Sequence, residues 1–210
     1  MSVKVKICGI KSTADAIAVV EAGADLLGLN LWPGTPRYVS VDQGSEIADA
    51  VRGRVEIVAL FVDAPRDEVM KTAEMIGTQT VQLHGSETAE FAESLGGLRV
   101  IKAFRIGSED DIELFAGFPA YACLLDARVE GMQGGTGRTI DWDLARTAAL
   151  SSRIVLAGGL TPENVGEAVR WVEPWGVDTA SGVEISPGEK DLEKVRLFVE
   201  RAKSTGDMLC

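Results

Sequence analysis

A single-domain (β/α)8 barrel of the TIM type, in the α/β class, is the fold that this sequence predicts, and three observations predict it. Eight short runs rich in Val, Ile and Leu are spread along the 210 residues. Amphipathic segments rich in Ala and Glu lie between them, with apolar spacing that suits helices burying one face. No linker, low-complexity stretch or second compositional block interrupts the alternation. Eight strand–helix cycles in a chain of this length average about 26 residues each, near the lower limit for such a barrel. A doubly wound open sheet is the rival. It ordinarily uses fewer strands, and a dinucleotide-binding version would show G-x-G-x-x-G after the first strand, where this chain has "ICGIKS". The expectation is one domain over 1–210, with "TGDMLC" at 205–210 as a frayed tail.

The elements follow in order. In "VKVKI" and the residue after it, Val3, Val5 and Ile7 fall on one face of a strand, and Lys4, Lys6 and Cys8 on the other. "TADAIAVVEAG" reads as the next helix, closed by Gly23, and "DLLGLN" as the second strand. "EIVALFV" is the third strand, and "PRDEVMKTAEMIG" a helix closed by Gly77. In the fourth strand, "TVQLH", parity turns Val81 and Leu83 toward the helices and Gln82 and His84 inward. "ETAEFAESLG" is a helix ending at Gly96, and in the fifth strand, "LRVIKAF", Lys102 shares a face with Val100 and Phe104. "YACLLD" and "RIVLA" are the sixth and seventh strands. In "TPENVGEAVRWV", Thr161 reads as a helix N-cap with Pro162 at the first helical position. "GVDTA" is the eighth strand, and closure of the barrel would bring its Asp178 beside Lys6 as a buried ion pair.

Composition narrows the function. Hydrophobic content of 46% with 25% charged residues is that of an ordinary soluble globular chain. A net charge of −11 argues against a nucleic-acid or anionic-membrane partner, so any phosphate ligand must be held locally. Cys8, Cys123 and Cys210 are too few and too scattered for a disulfide framework, and no C-x-x-C pair is present. That pattern, with no signal peptide and no apolar run of membrane-spanning length, points to the cytoplasm. One histidine in the whole chain makes a His-rich metal site impossible, and no metal is expected.

In such a barrel the active site lies at the C-terminal ends of the strands. The residues ending them are Cys8, Asn30, Asp63, His84, Arg105, Asp126, Gly158-Gly159 and Ser181-Gly182, an unusually polar set. Each has a plainer reading. A lone cysteine is usually a small buried hydrophobe, a lone histidine more often structural than catalytic, and Asp63 could cap a helix beginning near Pro65. Asp126 is harder to dismiss, because it ends an apolar strand where a carboxylate needs partners or a raised pKa. After it, "ARVEGMQGGTGRTIDW" is long and glycine-rich, which suits a mobile cover over substrate and lacks the spacing of a nucleotide-binding P-loop. Gly158, Gly159, Ser181 and Gly182 stand where the seventh and eighth loops of this architecture hold a phosphate through backbone N–H groups.

The stretches "VKICGI", "PRYVS", "VQLHG", "LLDARVEGMQGGTGRTIDW", "LAGGLTPENV" and "VDTASGVEISPGEKD" resemble phosphoribosylanthranilate isomerase, from the first strand to the last helix. The resemblance implies an Amadori rearrangement of N-(5-phosphoribosyl)anthranilate to 1-(2-carboxyphenylamino)-1-deoxyribulose 5-phosphate in tryptophan biosynthesis, with no cofactor. It implies Asp126 as the general acid that opens the ribose ring and Cys8 as the general base that takes the C2 proton. Arg37 would meet the anthranilate carboxylate, for which a guanidinium fork is suited. Gln82, His84, Lys6 and Asp178 would complete the substrate site. The implied partner is a small phosphosugar substrate, with no nucleic acid and no membrane, and the chain a monomer or homodimer. One stretch departs from the family's usual pattern: "LNLWPGTPRYV" has Asn30 and Trp32-Pro33-Gly34 where members often carry aromatic, Lys and Ser residues. An ordinary thiol is only a few per cent ionised at neutral pH, so a basic role for Cys8 calls for a positive local field, which Lys6 on the same face would supply. A histidine-biosynthetic sibling isomerase carries aspartate where Cys8 stands. A non-catalytic phosphosugar-binding barrel would have no need of Cys8 and Asp126, and a thiol oxidoreductase would need a resolving cysteine nearby.

Overall fold

The structure is a computed structural model that describes residues 3–108, 110–115, 117–127 and 141–208. Eight parallel strands close into a barrel in chain order: β1 (Lys4–Cys8), β2 (Leu26–Asn30), β3 (Glu56–Phe61), β4 (Thr80–Leu83), β5 (Arg99–Ile106), β6 (Ala122–Ala127), β7 (Ile154–Leu156) and β8 (Gly176–Thr179). Helices follow the strands in turn: α1 (Thr13–Glu21), α2 (Val41–Ala50), α3 (Arg66–Ile76), α4 (Ala89–Ser94), α5 (Asp110–Phe115), α6 (Trp142–Ala149), α7 (Val165–Val172) and α8 (Leu192–Met208). The expected (β/α)8 architecture is present. One addition was not anticipated: between β8 and α8 the chain makes a 3-10 turn (Ser181–Val183) and a small antiparallel hairpin, β9 (Glu184–Ser186) and β10 (Glu189–Lys190).

Strand register explains which side chains enter the barrel. Partners in a parallel ladder share a face, and the register runs from Lys6 to Leu26 and, on the other side, from Lys6 to Asp178. The interior so defined holds an apolar plug of Leu26, Val58, Ile101, Ala122, Leu124 and Val155. The opposite faces, including Val5, Ile7, Val81 and Leu83, pack under the helices in a separate and larger core. Parity therefore puts Lys6 and Gln82 inside and Val81 and Leu83 outside, as the sequence predicts. Lys102 lies on the helix side with Val100 and Phe104, and its ammonium reaches round to the Gly85 carbonyl (2.6 Å) and Glu87 (3.0 Å).

Local signals account for most helix ends. The Ser12 and Thr88 hydroxyls accept from the N–H groups of Asp15 and Phe91, and Ser40 and Gln43 form a reciprocal capping box. Gly77 caps α3 in the left-handed conformation. Three expectations need correction. Thr161 does not cap α7, which begins at Val165: the Asn164 carboxamide accepts from the Thr161 N–H (2.8 Å) and the Thr161 hydroxyl from the Glu163 N–H, so "TPEN" closes as a turn first. α4 stops at Ser94, and Leu95 rather than Gly96 is its C-cap. Residues 205–208 are not frayed. α8 continues through Met208, with Thr205 buried and its hydroxyl returned to the Arg201 carbonyl (2.9 Å). Among the described residues no helix is long and apolar enough to cross a membrane. The expected cover at 128–140, and Cys210, lie outside the described residues.

Candidate active site

Cys8 ends β1 inside the barrel mouth, buried, two residues above Lys6 on the same face. Lys6 is only 2% exposed, and its ammonium donates to Asp178 on the neighbouring β8 at 2.8 Å. Burial works against the charged lysine, but Asp178 and Cys8 more than offset it and hold its pKa above the ordinary lysine value. The close approach of thiol and ammonium depends on Gly28. A Cβ there would stand 2.8 Å from Cys8 Sγ and 3.2 Å from Lys6 Nζ, so any side chain on this part of β2 would displace one of them.

Arg37, in the loop after β2, reaches the same mouth, but its guanidinium is already engaged. Nε and Nη2 donate to the two oxygens of Glu184 at 2.8 and 2.6 Å. Glu184 also accepts from Lys190, whose ammonium is fully buried and donates to the Ala180 carbonyl at 3.0 Å. Burial opposes the charge on Glu184, and hydrogen bonds from Arg37 with the nearby Lys190 overcome it, keeping the carboxyl below the usual range. For Lys190 burial prevails, and its pKa falls below the ordinary value despite Glu184. Neither Glu184 nor Lys190 was expected. Both lie within the stretch "VDTASGVEISPGEKD", but no strand end or motif spacing marks either of them for the site.

On the opposite wall the buried ion pair, Lys102–Glu87, stands on the helix side, and the groups at the cleft surface are a carboxylate, an imidazole and a carboxamide. Asp126 ends β6, and its Oδ2 lies 4.0 Å from Nε2 of His84, just beyond β4. Burial, and then the Lys6 charge, push His84 down to a pKa of about 4, so it is neutral at pH 7. Gln82 Nε2 lies 2.8 Å from His84 Nδ1. An amide donating to Nδ1 leaves the imidazole proton on Nε2, facing Asp126; this tautomer is assigned from the hydrogen bond. Asp63 does not cap α3, whose N-cap is Pro65. It accepts from the Ser86 N–H (2.6 Å) and so braces the loop beyond His84.

At the ends of β7 and β8, Gly158 and Gly159 both have positive φ, which turns their N–H groups away from the ladder. Those amides have no acceptor among the described residues. Gly182 sits tightly beneath: a Cβ would fall 1.9 Å from the Leu160 carbonyl oxygen and 2.8 Å from the Thr179 hydroxyl. One cleft is lined by Cys8, Arg37, Gln82, His84, Asp126, Gly158, Gly159, Asp178 and Ser181. Of the residues expected to hold or transform substrate, Lys6 and Gly182 stand behind its surface, and of the strand-end set Asp63 and Arg105 line a neighbouring cleft instead. Asn30, Trp32 and Thr35 complete the rim on the β2 side.

A family model described as N-(5'phosphoribosyl)anthranilate (PRA) isomerase matches residues 5–201. The chain is 44% identical over 203 residues to the N-(5'-phosphoribosyl)anthranilate isomerase of Pelobacter propionicus, covering 97% of both chains. It is 46% identical over 200 residues to that of a Geobacter species, covering 95% of this chain and 98% of the relative. The crystal structure of phosphoribosyl anthranilate isomerase from Thermotoga maritima superposes with a TM-score of 0.90 at 36% identity, over 96% of this chain and 99% of that one. A phosphoribosyl anthranilate isomerase in complex with reduced 1-(o-carboxyphenylamino)-1-deoxyribulose 5-phosphate superposes with a TM-score of 0.87 at 35% identity, over the same shares. Similarity of this extent, over a barrel whose mouth gathers the thiol, the carboxylate and the glycine loops into one cleft, makes the chain a member of the N-(5'-phosphoribosyl)anthranilate isomerase family.

Proposed function

We propose that the chain carries out the Amadori rearrangement of N-(5-phosphoribosyl)anthranilate in tryptophan biosynthesis, with Asp126 as general acid and Cys8 as general base. Asp126 gives its proton to the ribose ring oxygen, the C1–O bond breaks, and the furanose opens to an iminium. Cys8 then removes the C2 proton, and the electron pair left behind forms the enolamine, which tautomerises to the ketone. Protons move and no net oxidation occurs, so the reaction needs no redox cofactor. The observation that carries this reading is the placement of a thiol on β1 and a carboxyl on β6 in the wall of one cleft, with a buried ammonium behind the thiol.

The surroundings suit the two roles. The Lys6 ammonium stands behind the Cys8 thiol, two residues back on the same strand face. The neutral His84, with its proton on Nε2, can hydrogen-bond the Asp126 carboxylate once the 4.0 Å gap closes, an interaction stronger after the acid has given up its proton than before. The free N–H groups of Gly158 and Gly159, with Ser181 beside them, offer a 5-phosphate a site that draws on backbone rather than on net charge. Arg37 would present its remaining N–H donors to the anthranilate carboxylate. On this reading the enzyme is cytoplasmic, works as a monomer or homodimer and takes one small phosphosugar.

The test is loss of anthranilate-type fluorescence from freshly made phosphoribosylanthranilate. Asp126→Asn and Cys8→Ser should each lower kcat by about 10²–10⁴, the usual worth of a general acid or base. An amide has no proton to give, and a hydroxyl is far less ionised than a thiol. Either variant keeping near wild-type kcat with chemistry rate-limiting would remove that residue from its role.

A further inference from the structure

Arg37 is held from three directions, more than a single contact on a ligand requires. A Cβ at Gly9, the residue after Cys8, would lie 2.7 Å from the Arg37 Cδ, so the arginine stem lies directly over the end of β1. Lys11 donates to the carbonyl of Pro36, the preceding residue, at 2.9 Å. Glu184, on β9, takes Nε and Nη2 together in the fork geometry. Glu184 is itself fixed by Lys190 across the β9–β10 hairpin, and Lys190 is tied to the end of β8 through Ala180. A free arginine has several rotamers to lose on binding a carboxylate, and this one has lost them already.

We infer that Glu184, braced by Lys190, is a positioning residue for recognition of the substrate's aromatic carboxylate: by taking one edge of the Arg37 guanidinium it aims the other into the cleft. The inference rests on the proposed contact between Arg37 and that carboxylate. It assigns the β9–β10 hairpin a task that its place in the fold would not otherwise suggest. The geometry also limits what the site accepts. With Nε and Nη2 engaged, the outward edge can grip one carboxylate of fixed orientation, whereas a mobile arginine would follow a displaced anion. Glu184 further offsets one of the cations around Cys8, so that Arg37 in its bound place does not act as an uncompensated charge.

Two ligands separate these roles by calorimetric titration: reduced 1-(o-carboxyphenylamino)-1-deoxyribulose 5-phosphate, and the same molecule without the ring carboxyl. The wild-type enzyme should bind the carboxylated ligand more tightly, and Arg37→Ala should abolish the preference. Glu184→Gln, nearly isosteric, should weaken the carboxylated ligand about tenfold, the loss of roughly one charge-assisted hydrogen bond, and leave the other unchanged. In turnover it should raise KM more than it lowers kcat. Added to Arg37→Ala, Glu184→Gln should cost no further preference, because a residue acting through Arg37 has nothing left to act on. If the wild type and Arg37→Ala bind both ligands in the same ratio, the underlying carboxylate contact is wrong. If Arg37→Ala loses the preference while Glu184→Gln keeps it, that contact stands and the positioning role is overturned. Equal weakening of both ligands by Glu184→Gln, outright unfolding included, also overturns it and makes Glu184 part of the scaffold alone.

Discussion

The two walls of the cleft are built on opposite electrostatic plans. Around Cys8, at β1, β2 and β8, three cationic side chains (Lys6, Arg37 and Lys190) face two carboxylates (Asp178 and Glu184), and four of these five groups are buried. On the β4–β6 side the imidazole 4.0 Å from Asp126 is neutral and held by a carboxamide, and the buried Lys102–Glu87 pair fixes the loop after β4 from the helix side. The cation in register with Asp126, Arg105, is exposed, where water and salt screen its field. The difference fits the two proposed roles: the thiol proposed as base stands among fixed cations, and the carboxyl proposed as acid faces a neutral imidazole. The charged wall carries a desolvation cost that only good pairing offsets, and this accounts for its clamped geometry.

The largest effect should come from unbalancing the charged wall. Lys6→Met leaves Asp178 buried without its partner and should cost about 3–5 kcal/mol of stability, read as a lowered urea midpoint, together with a large fall in kcat. Lys6→Met combined with Asp178→Leu removes both charges, and should recover most of the stability and little of the activity. A double variant as active as the wild type would show that the pair supports the barrel and leaves the thiol unaffected.

How much of this arrangement was legible in the sequence depends on whether strand parity and barrel closure fix the neighbours. Lys6 and Asp178 could be paired in advance because strand parity puts each inside, and barrel closure makes β1 and β8 neighbours. Cys8, His84 and Asp126 could be gathered because each ends a strand, or follows one directly, and strand ends share a mouth. Arg37 and Glu184 could not. Arg37 lies in a loop, and Glu184 rides on a hairpin whose segment "EISPGEK" has too few apolar positions for a strand pattern. The α7 start was misplaced by one turn: the Thr161 hydroxyl does accept from the Glu163 N–H, but residues 162–164 close a turn of their own and the helix begins at Val165. The tail looked frayed because "TGDMLC" is rich in polar and small residues. Thr205 hides its hydroxyl on the Arg201 carbonyl, and Gly206 packs against Val3, where a Cβ would fall 2.9 Å from Cγ1.

The loops after β7 and β8 lie between the two walls and should respond with intermediate size. Ser181→Ala removes at most one hydroxyl contact to the 5-phosphate and should raise KM only several-fold, with kcat and stability nearly unchanged, as expected for the roughly 1 kcal/mol of one hydrogen bond. Gly182→Ala should do more and do it differently. Its Cβ cannot coexist with the Leu160 carbonyl 1.9 Å away, so the 3-10 turn must move, lowering the thermal midpoint as well as raising KM. A substrate lacking the phosphate should react poorly with the wild type. Equal turnover of both substrates would take these glycines out of the binding site.

The smallest effect tests the neutral wall, through pH. His84 has a pKa of about 4 in the folded protein against an ordinary 6.5, so between those values the unfolded chain binds more protons than the folded one. Stability therefore falls as pH drops from about 6.5 toward 4, with a slope of at most about 1.4 kcal/mol per pH unit from this group, and the contribution is constant outside that window. The His84 side chain is 22% exposed, so the measured slope should be shallower than that limit. Carboxylates whose pKa values are held down, Asp25 and Glu184 among them, also destabilise the fold in acid, but they do so equally in a His84→Gln variant. The quantity to measure is the difference in urea midpoint between wild type and His84→Gln at pH 7, 6 and 5. The wild type should lose ground steadily to the variant across that range. Parallel curves would mean that His84 takes up a proton in the fold as readily as in water. Asp126 would then face an imidazolium, and the contrast between the two walls would disappear at the residue that defines it.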